Sequence, residues 1–173
     1  MSYYYHAGRS AVREFDDSQF AGWVASGNRK ANGWILIADR PSELHDWTGA
    51  AWAIPSPVVR QMIRAEAMRR KAGGFLPTAP AGNTKWLPSD AGTLATLAMY
   101  GNATTLPAGI DIKTMGGTSY GLSAARVKSA VDAFAVQMAA IDAVEAAALA
   151  AQAANPATFD FSAIQWPAIY VPA

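Results

Sequence analysis

The second half of the chain repeats one pattern of hydrophobic and polar positions. Residues 74–87 hold two apolar ends around a turn-rich middle and lead into a predicted helix at Ser89–Tyr100. Residues 110–120 repeat this arrangement and lead into a longer predicted helix at Ser123–Ala154. Ser or Asp at each helix start can accept hydrogen bonds from the free backbone amides of the first turn. The pattern therefore predicts two successive units, each a strand pair followed by a capped helix.

The first 55 residues show a different pattern, with short apolar runs between turn residues. Tyr3–Tyr5 and the apolar run Trp34–Ala38 predict strands. Asp16 is positioned to cap a short helix that carries Phe20 on its apolar side. Residues 45–54 place a Thr-Gly-Ala turn between two apolar segments, as in a β-hairpin. These elements predict a small aromatic-rich β module with one helix.

One more helix is predicted between these two regions. Ser56-Pro57 is typical of a helix start, because serine can cap and proline lacks the N–H that the first turn leaves unpaired. The helix is expected to end at Ala72, before the glycine pair that follows.

The patterns together predict an α+β chain of three parts. The β module covers residues 1–55, a helix, hairpin, helix, hairpin and long helix cover residues 56–154, and an extended tail of aromatic residues and proline covers residues 155–173. Apolar side chains along the long helix are spaced alternately four and three residues apart, as in a coiled coil. This seam predicts a homo-oligomer through the helix Val127–Ile141 or, equally, a helix pair within one chain. Its members are Val127, Val131, Phe134, Met138 and Ile141.

Composition narrows the classes of function. The chain has 173 residues, of which 51% are hydrophobic, so a real core is expected. With 14 basic and 13 acidic side chains the net charge is +1, which gives no global field for binding nucleic acid. Cysteine is absent, so disulfides and thiolate chemistry are excluded. The apolar stretch Val131–Ala154 is interrupted by Asp132, Asp142 and Glu145, and we therefore expect no membrane span.

No group of residues predicts a catalytic, cofactor-binding or metal-binding site. His6 and His45 are the two imidazoles, and neither has a second ligand at the spacing of a metal pair. The glycine pairs at 73–74 and 116–117 lack the lysine of a phosphate-binding loop. We expect a protein that is not an enzyme and carries no cofactor.

The six tryptophans are also candidates for a binding site. The apolar face of a sugar ring can stack on an indole, so these side chains could form a glycan platform. In so small a protein, a role in the core is favoured for most of them. The six are Trp23, Trp34, Trp47, Trp52, Trp86 and Trp166.

Two stretches resemble proteins of bacteriophage tails. In the region from about Arg64 to Ala154, Lys85-Trp86-Leu87-Pro88-Ser89-Asp90 precedes one helix and Ile112-Lys113-Thr114-Met115 precedes a hairpin and a Ser-capped helix. This region resembles an uncharacterised domain that recurs in tail proteins of tailed bacteriophages. The hairpin Trp47-Thr48-Gly49-Ala50-Ala51-Trp52, with the elements before it, is similar to the front of many phage tail-fibre assembly and accessory proteins.

The resemblance implies a non-enzymatic protein that folds in the host cytoplasm and is located in the virion tail. Its partner would be a tail fibre or baseplate protein, and its role that of a structural accessory subunit or a fibre-bound assembly factor. Two alternatives remain open: a transient chaperone of fibre assembly that is absent from the mature virion, and a tip module that binds host glycan. The residues expected to contact the partner are aromatic: Trp47, Trp52, Phe159, Phe161, Trp166 and Tyr170.

Overall fold

Within the part of the chain that the structure describes, small antiparallel sheets and four helices confirm the predicted α+β class. The computed structural model describes residues 1–28 and 31–172. The chain divides into an N-terminal unit, Met1–Val59, and a C-terminal unit that starts at Arg60. The division lies a few residues after the boundary expected from the sequence, within the first turns of a helix.

A three-stranded sheet organises the N-terminal unit, in the order β2-β1-β3. Tyr4 on β1 is paired with Arg13 on β2 and with Leu36 on β3, both antiparallel. The strands are β1 at Ser2–His6, β2 at Ala11–Phe15 and β3 at Trp34–Leu36, with a 3-10 turn at Ala7–Arg9 after β1. β3 is shorter than predicted, although Ile37 still donates a backbone hydrogen bond to Tyr3 at 3.0 Å.

Each face of this sheet is covered by aromatic side chains, because alternate residues of a strand point to opposite faces. On one face, Tyr4 packs on Phe20 of α1 (Asp17–Ala25), with ring centroids 4.0 Å apart. Asp16 caps α1 as predicted, accepting from the amides of Ser18 and Gln19. The other face carries Tyr3 and Tyr5.

A short hairpin covers that second face. It consists of β4 at Asp46–Trp47 and β5 at Trp52–Ala53. The centroids of Tyr3 and Trp52 lie 5.5 Å apart, and those of Tyr5 and Trp47 lie 5.8 Å apart. The predicted hairpin is therefore present, and its tryptophans pack on the tyrosines of β1.

The helices of the second half lie close to their predicted positions, and side-chain caps at Asp90 and Ser123 define the starts of two of them. They are α2 at Ser56–Ala72, α3 at Ala91–Tyr100 and α4 at Ala124–Ala154, with β6 at Asp111–Lys113 and β7 at Ser119–Gly121. α3 begins two residues after Ser89, because Asp90 accepts the capping hydrogen bond from the Thr93 amide and Ser89 instead donates to the carbonyl of Lys71 at 2.6 Å.

The core of the C-terminal unit forms where the two predicted repeats meet. In the first repeat, Phe75 and Leu87 form a single antiparallel bridge instead of regular strands, because the prolines between them cannot donate ladder hydrogen bonds. In the second, β6 and β7 form a hairpin. The core cluster draws on both repeats and consists of Phe75, Leu87, Leu97, Ile112, Tyr120, Val127 and Ala130.

Gly74 lies where the two repeats pack closely against each other. Its φ of +79° lies in the left-handed region that favours glycine. A Cβ atom there would contact Met115 Sδ and would lie 2.6 Å from the carbonyl oxygen of Leu87. Met115 in turn donates its backbone N–H to Trp86 at 3.0 Å, which ties the second hairpin to the first repeat. No side chain fits at this position.

Gly74→Ala should therefore destabilise the C-terminal unit well beyond the effect of backbone strain. The matched control is Gly82→Ala, since Gly82 has a φ of +73° but nothing within 4 Å of its Cβ position. We expect the control to lose about 1–2 kcal/mol of unfolding free energy, and Gly74→Ala to lose at least about 2 kcal/mol more. Urea denaturation measures both. Equal losses of unfolding free energy in the two variants would contradict the close packing around Gly74.

Candidate binding surfaces

The six aromatic residues predicted to contact a partner fall into both units. Trp47 and Trp52 belong to the β4–β5 hairpin of the N-terminal unit. The other four follow α4 in the C-terminal unit, and all six are half-buried. Those four are Phe159, Phe161, Trp166 and Tyr170.

The hairpin tryptophans line a pocket of about 350 Å³. Tyr3 forms a further aromatic wall, and Trp52 makes edge-to-face contacts with both Tyr3 and Trp47 at centroid distances of 5.5 Å. The N–H of Trp52 donates to the carbonyl of Ala38 at 2.6 Å. The N–H of Trp47 is buried and has no acceptor among the described residues.

Charged side chains surround this aromatic pocket, two basic and two acidic: Arg13, Glu14, Arg40 and Asp46. The guanidinium of Arg40 lies over Trp52, 5.8 Å from the ring centroid, and donates to the carbonyls of Glu43 and His45 at 2.6 and 2.7 Å. Its distance to the Asp46 carboxylate is 3.6 Å. These contacts hold Arg40 in place as part of the wall.

Sequence reasoning found the pocket's tryptophans but missed its other walls. Tyr3 and Glu14 are directly paired across β1 and β2, so their side chains share a face with the hairpin. The available signal was the strand predicted at Tyr3–Tyr5, since alternate residues of a strand share a face. Arg40 lies in a loop, so no periodic pattern of the sequence predicts where its side chain is placed.

α4 has an outer face with few contacts. Five of its 31 residues are buried. The predicted seam packs within the chain at Val127 and Ile141, which are fully buried, whereas Val131 is 39% exposed. The exposed apolar residues between Ala135 and Ala151, which we call the outer face, are Ala135, Val136, Ala139, Ala143, Ala146, Ala147, Ala150 and Ala151. The homo-oligomer through this helix stays a prediction.

By length and composition alone, α4 could also cross a membrane, and only 11% of its most apolar 18-residue window is buried. One such helix is weak evidence, because core helices of other proteins have the same length and composition. Asp142 and Glu145 lie in the second half of α4 and form ion pairs with Lys71 of α2 at 2.6 and 3.5 Å. These pairs attach α4 to its own unit.

The segment after α4 packs against the C-terminal unit. The guanidinium of Arg70 donates to the carbonyl of Pro167 at 2.7 Å, and Gln137 donates to the carbonyl of Ala168 at 2.8 Å. The backbone N–H of Tyr170 donates to Gly73 at 3.1 Å. The predicted extended tail is thus hydrogen-bonded to two helices and the turn after α2, and Trp166 is half-buried with its N–H inaccessible to water.

A groove of about 560 Å³ lies between the second half of α4 and this segment. A 3-10 turn at Phe161–Ala163 shapes one end of the segment. Apolar side chains dominate the groove, among them Val144, Ala147, Ala151, Phe159 and Ile164. It adjoins the outer face of α4, and the two share Ala147 and Ala151.

Glu66 on α2 holds the arginine that binds the C-terminal segment. Its carboxylate accepts from Arg69 at 2.6 and 2.7 Å and from Arg70 at 2.6 Å. The hydrogen bonds from Arg69, and then the one from Arg70, lower the pKa of Glu66 from 4.5 to about 2. The hydrogen bonds from Arg70 to Glu66 and to Pro167 therefore link α2 to the segment, and they involve a carboxylate that is charged at neutral pH.

The two histidines have structural surroundings. His6 packs edge-to-face on Trp34 at a centroid distance of 5.2 Å, and His45 Nδ1 lies 2.8 Å from the hydroxyl of Ser42. Within residues 1–28 and 31–172, no group of three or more His, Asp or Glu side chains could hold a metal ion.

Comparison with known proteins identifies no relative. The chain matches no protein-family model, no curated protein and no solved structure.

Glu66→Gln should destabilise the protein at neutral pH and have little effect in acid. Because the folded-state pKa of Glu66 is lowered, its stabilisation is complete above pH 4.5 and is lost as pH falls towards 2. We expect a loss of about 1–2 kcal/mol at pH 7, reduced by solvent screening because Arg69 is 57% exposed.

Urea unfolding of wild type and variant across this pH range measures the difference. Glu43→Gln is the control, since Glu43 has an exposed side chain with no ion pair among the described residues. A difference that stays constant down to pH 2.5 would contradict the lowered pKa.

Proposed function

We propose that this chain is a non-enzymatic component of a bacteriophage tail, associated with a tail fibre or baseplate protein. It acts as a structural accessory subunit or a fibre-bound assembly factor, and it is located in the virion after folding in the host cytoplasm. The resemblance of residues 64–154 and of the Trp47–Trp52 hairpin to tail proteins supports this placement.

The outer face of α4 is the observation that carries the proposal. A helix that is apolar around most of its circumference is normally buried. Here Val136 is 70% exposed, and the exposed alanines extend the apolar surface to Ala151, about four turns of helix. Exposed contiguous apolar surface of this kind is typical of an interaction site.

A protein partner is favoured over a lipid bilayer. In a membrane, Asp142 and Glu145 would lie among acyl chains, where each charge is unfavourable by about 3 kcal/mol at the bilayer centre. Their ion pairs with Lys71 also require α2 beside them. A second protein helix can pack on the alanines and leave both acidic groups at its edge.

The groove extends this surface to the aromatic residues of the C-terminal segment. Phe159 lines the groove together with Ala147 and Ala151 of the outer face. One partner helix could thus contact both α4 and the segment. Partner binding through Phe159 is compatible with the packed position of the segment, which keeps the groove open instead of filling it.

Ala147→Glu tests this surface, because it places a charge where the outer face and the groove meet. We expect affinity for the co-expressed tail-fibre protein to fall by at least about tenfold, since an unpaired charge is unfavourable in an apolar interface. Isothermal titration with purified fibre protein measures the affinity. Ala95→Glu is the matched control, an exposed alanine in the interior of α3.

Three results would contradict the proposal: no binding of the wild-type chain to the fibre protein, equal binding by both variants, or α4-dependent binding of the wild-type chain to phospholipid vesicles in place of the fibre protein.

A further inference from the structure

We infer that the aromatic pocket of the N-terminal unit is a binding site for a neutral pyranose ring. The inference goes beyond the proposed function and does not depend on it, because it concerns a different unit and a small ligand. The pocket is formed by Tyr3, Glu14, Arg40, Asp46, Trp47 and Trp52.

The size and walls of the pocket fit one sugar ring. Its volume of about 350 Å³ lies at the lower end of the range for ligand sites, which is roughly 300–1,000 Å³. The ring of Trp52 contacts those of Tyr3 and Trp47, at interplanar angles of 82° and 71°. Rings at such angles give walls of different orientation, on which the C–H face of a pyranose can pack.

The hydrogen-bonding groups favour a ligand that supplies donors. Glu14 is exposed and has no ion pair or hydrogen bond to its carboxylate among the described residues, and the Asp46 side chain is 72% exposed. A carboxylate can accept from two neighbouring hydroxyls at once.

An anionic ligand is disfavoured because the guanidinium groups of both arginines already lie over aromatic rings, Arg40 over Trp52 at 5.8 Å and Arg13 over Trp34 at 6.0 Å from the ring centroids. Arg40 donates to two backbone carbonyls, at 2.6 and 2.7 Å, and lies beside Asp46. These two hydrogen bonds use two of the five N–H donors of the guanidinium and fix its orientation. The two acidic side chains beside it would also repel an anion.

A cationic ligand is disfavoured for the complementary reason. The face of Trp52 that would bind an ammonium group by a cation–π contact holds the guanidinium of Arg40. The two arginines and two acidic residues around the pocket also sum to zero charge, so no net field selects an ion. Aromatic walls, free acceptors and balanced charge together define a neutral polyhydroxylated ring.

The test uses the full-length chain and two-dimensional NMR of the tryptophan indole N–H groups. The probes are methyl β-glucopyranoside, methyl α-mannopyranoside, methyl β-galactopyranoside and N-acetylglucosamine, with tetramethylammonium chloride as the cationic comparison. Replacing each tryptophan by phenylalanine assigns its resonance. Trp86, in the C-terminal unit, is the internal control.

We expect at least one pyranoside to shift the resonances of Trp47 and Trp52 with a dissociation constant in the millimolar range, leaving Trp86 unchanged. Glu14→Gln combined with Asp46→Asn should weaken binding by about tenfold, since each loses hydrogen bonds to a charged acceptor. Both side chains are exposed, so the fold should tolerate the changes. Glu43→Gln, outside the pocket, should bind as wild type does.

The inference is overturned if no pyranoside shifts either resonance at about 50 mM, far above a millimolar dissociation constant. It is equally overturned if the double variant binds as tightly as Glu43→Gln, or if tetramethylammonium alone shifts Trp47 and Trp52. None of these results bears on binding of the fibre protein by α4, so the two proposals fail separately.

Discussion

The contact between the two repeats is the constraint on which the C-terminal unit depends. Phe75 and Leu87 of the first repeat and Ile112, Tyr120 and Val127 of the second belong to one buried cluster. Neither strand pair is large enough to be stable alone, because isolated hairpins are marginal in water. Each repeat therefore supplies the apolar surface that the other needs.

Two polar contacts fix the register of this packing. The N–H of Met115 donates to the carbonyl of Trp86, and the hydroxyl of Tyr120 donates to the carbonyl of Ala79. Both pairs join the second hairpin to the first repeat. Gly74 permits the close approach, since any side chain there would overlap Met115 and the backbone of Leu87. The core thus determines where α4 starts and which of its faces is left outward.

Local signals in the sequence predicted the elements well. Asp16, Asp90 and Ser123 cap their helices through hydrogen bonds that reach only two or three residues along the chain. The start of α4 at its Ser123 cap followed from such a signal. Contacts between distant residues did not: Arg70 binds Pro167 across 97 positions, and no periodicity encodes that pair.

The same holds for the candidate sites: single residues could be predicted from the sequence, but contacts between residues far apart in the sequence could not. Trp47 and Trp52 were predicted as binding residues because they are aromatic. The pocket also requires Arg40, which contacts Trp52 from a loop. The heptad-like seam marked one face of α4 correctly as apolar. The alanine-rich part of α4 after Ile141 has no periodic pattern of large apolar residues. Which of its alanines are exposed therefore follows from the packing of α4 on the core and not from the sequence.

The central claim, that this chain is a resident component of a phage tail, can be tested directly by quantitative mass spectrometry of purified tailed particles from the source culture. The account predicts peptides of this protein at a fixed molar ratio to the fibre protein, in every preparation. Its absence from particles that contain the fibre would contradict the account. Detection in the lysate alone would indicate a transient assembly chaperone.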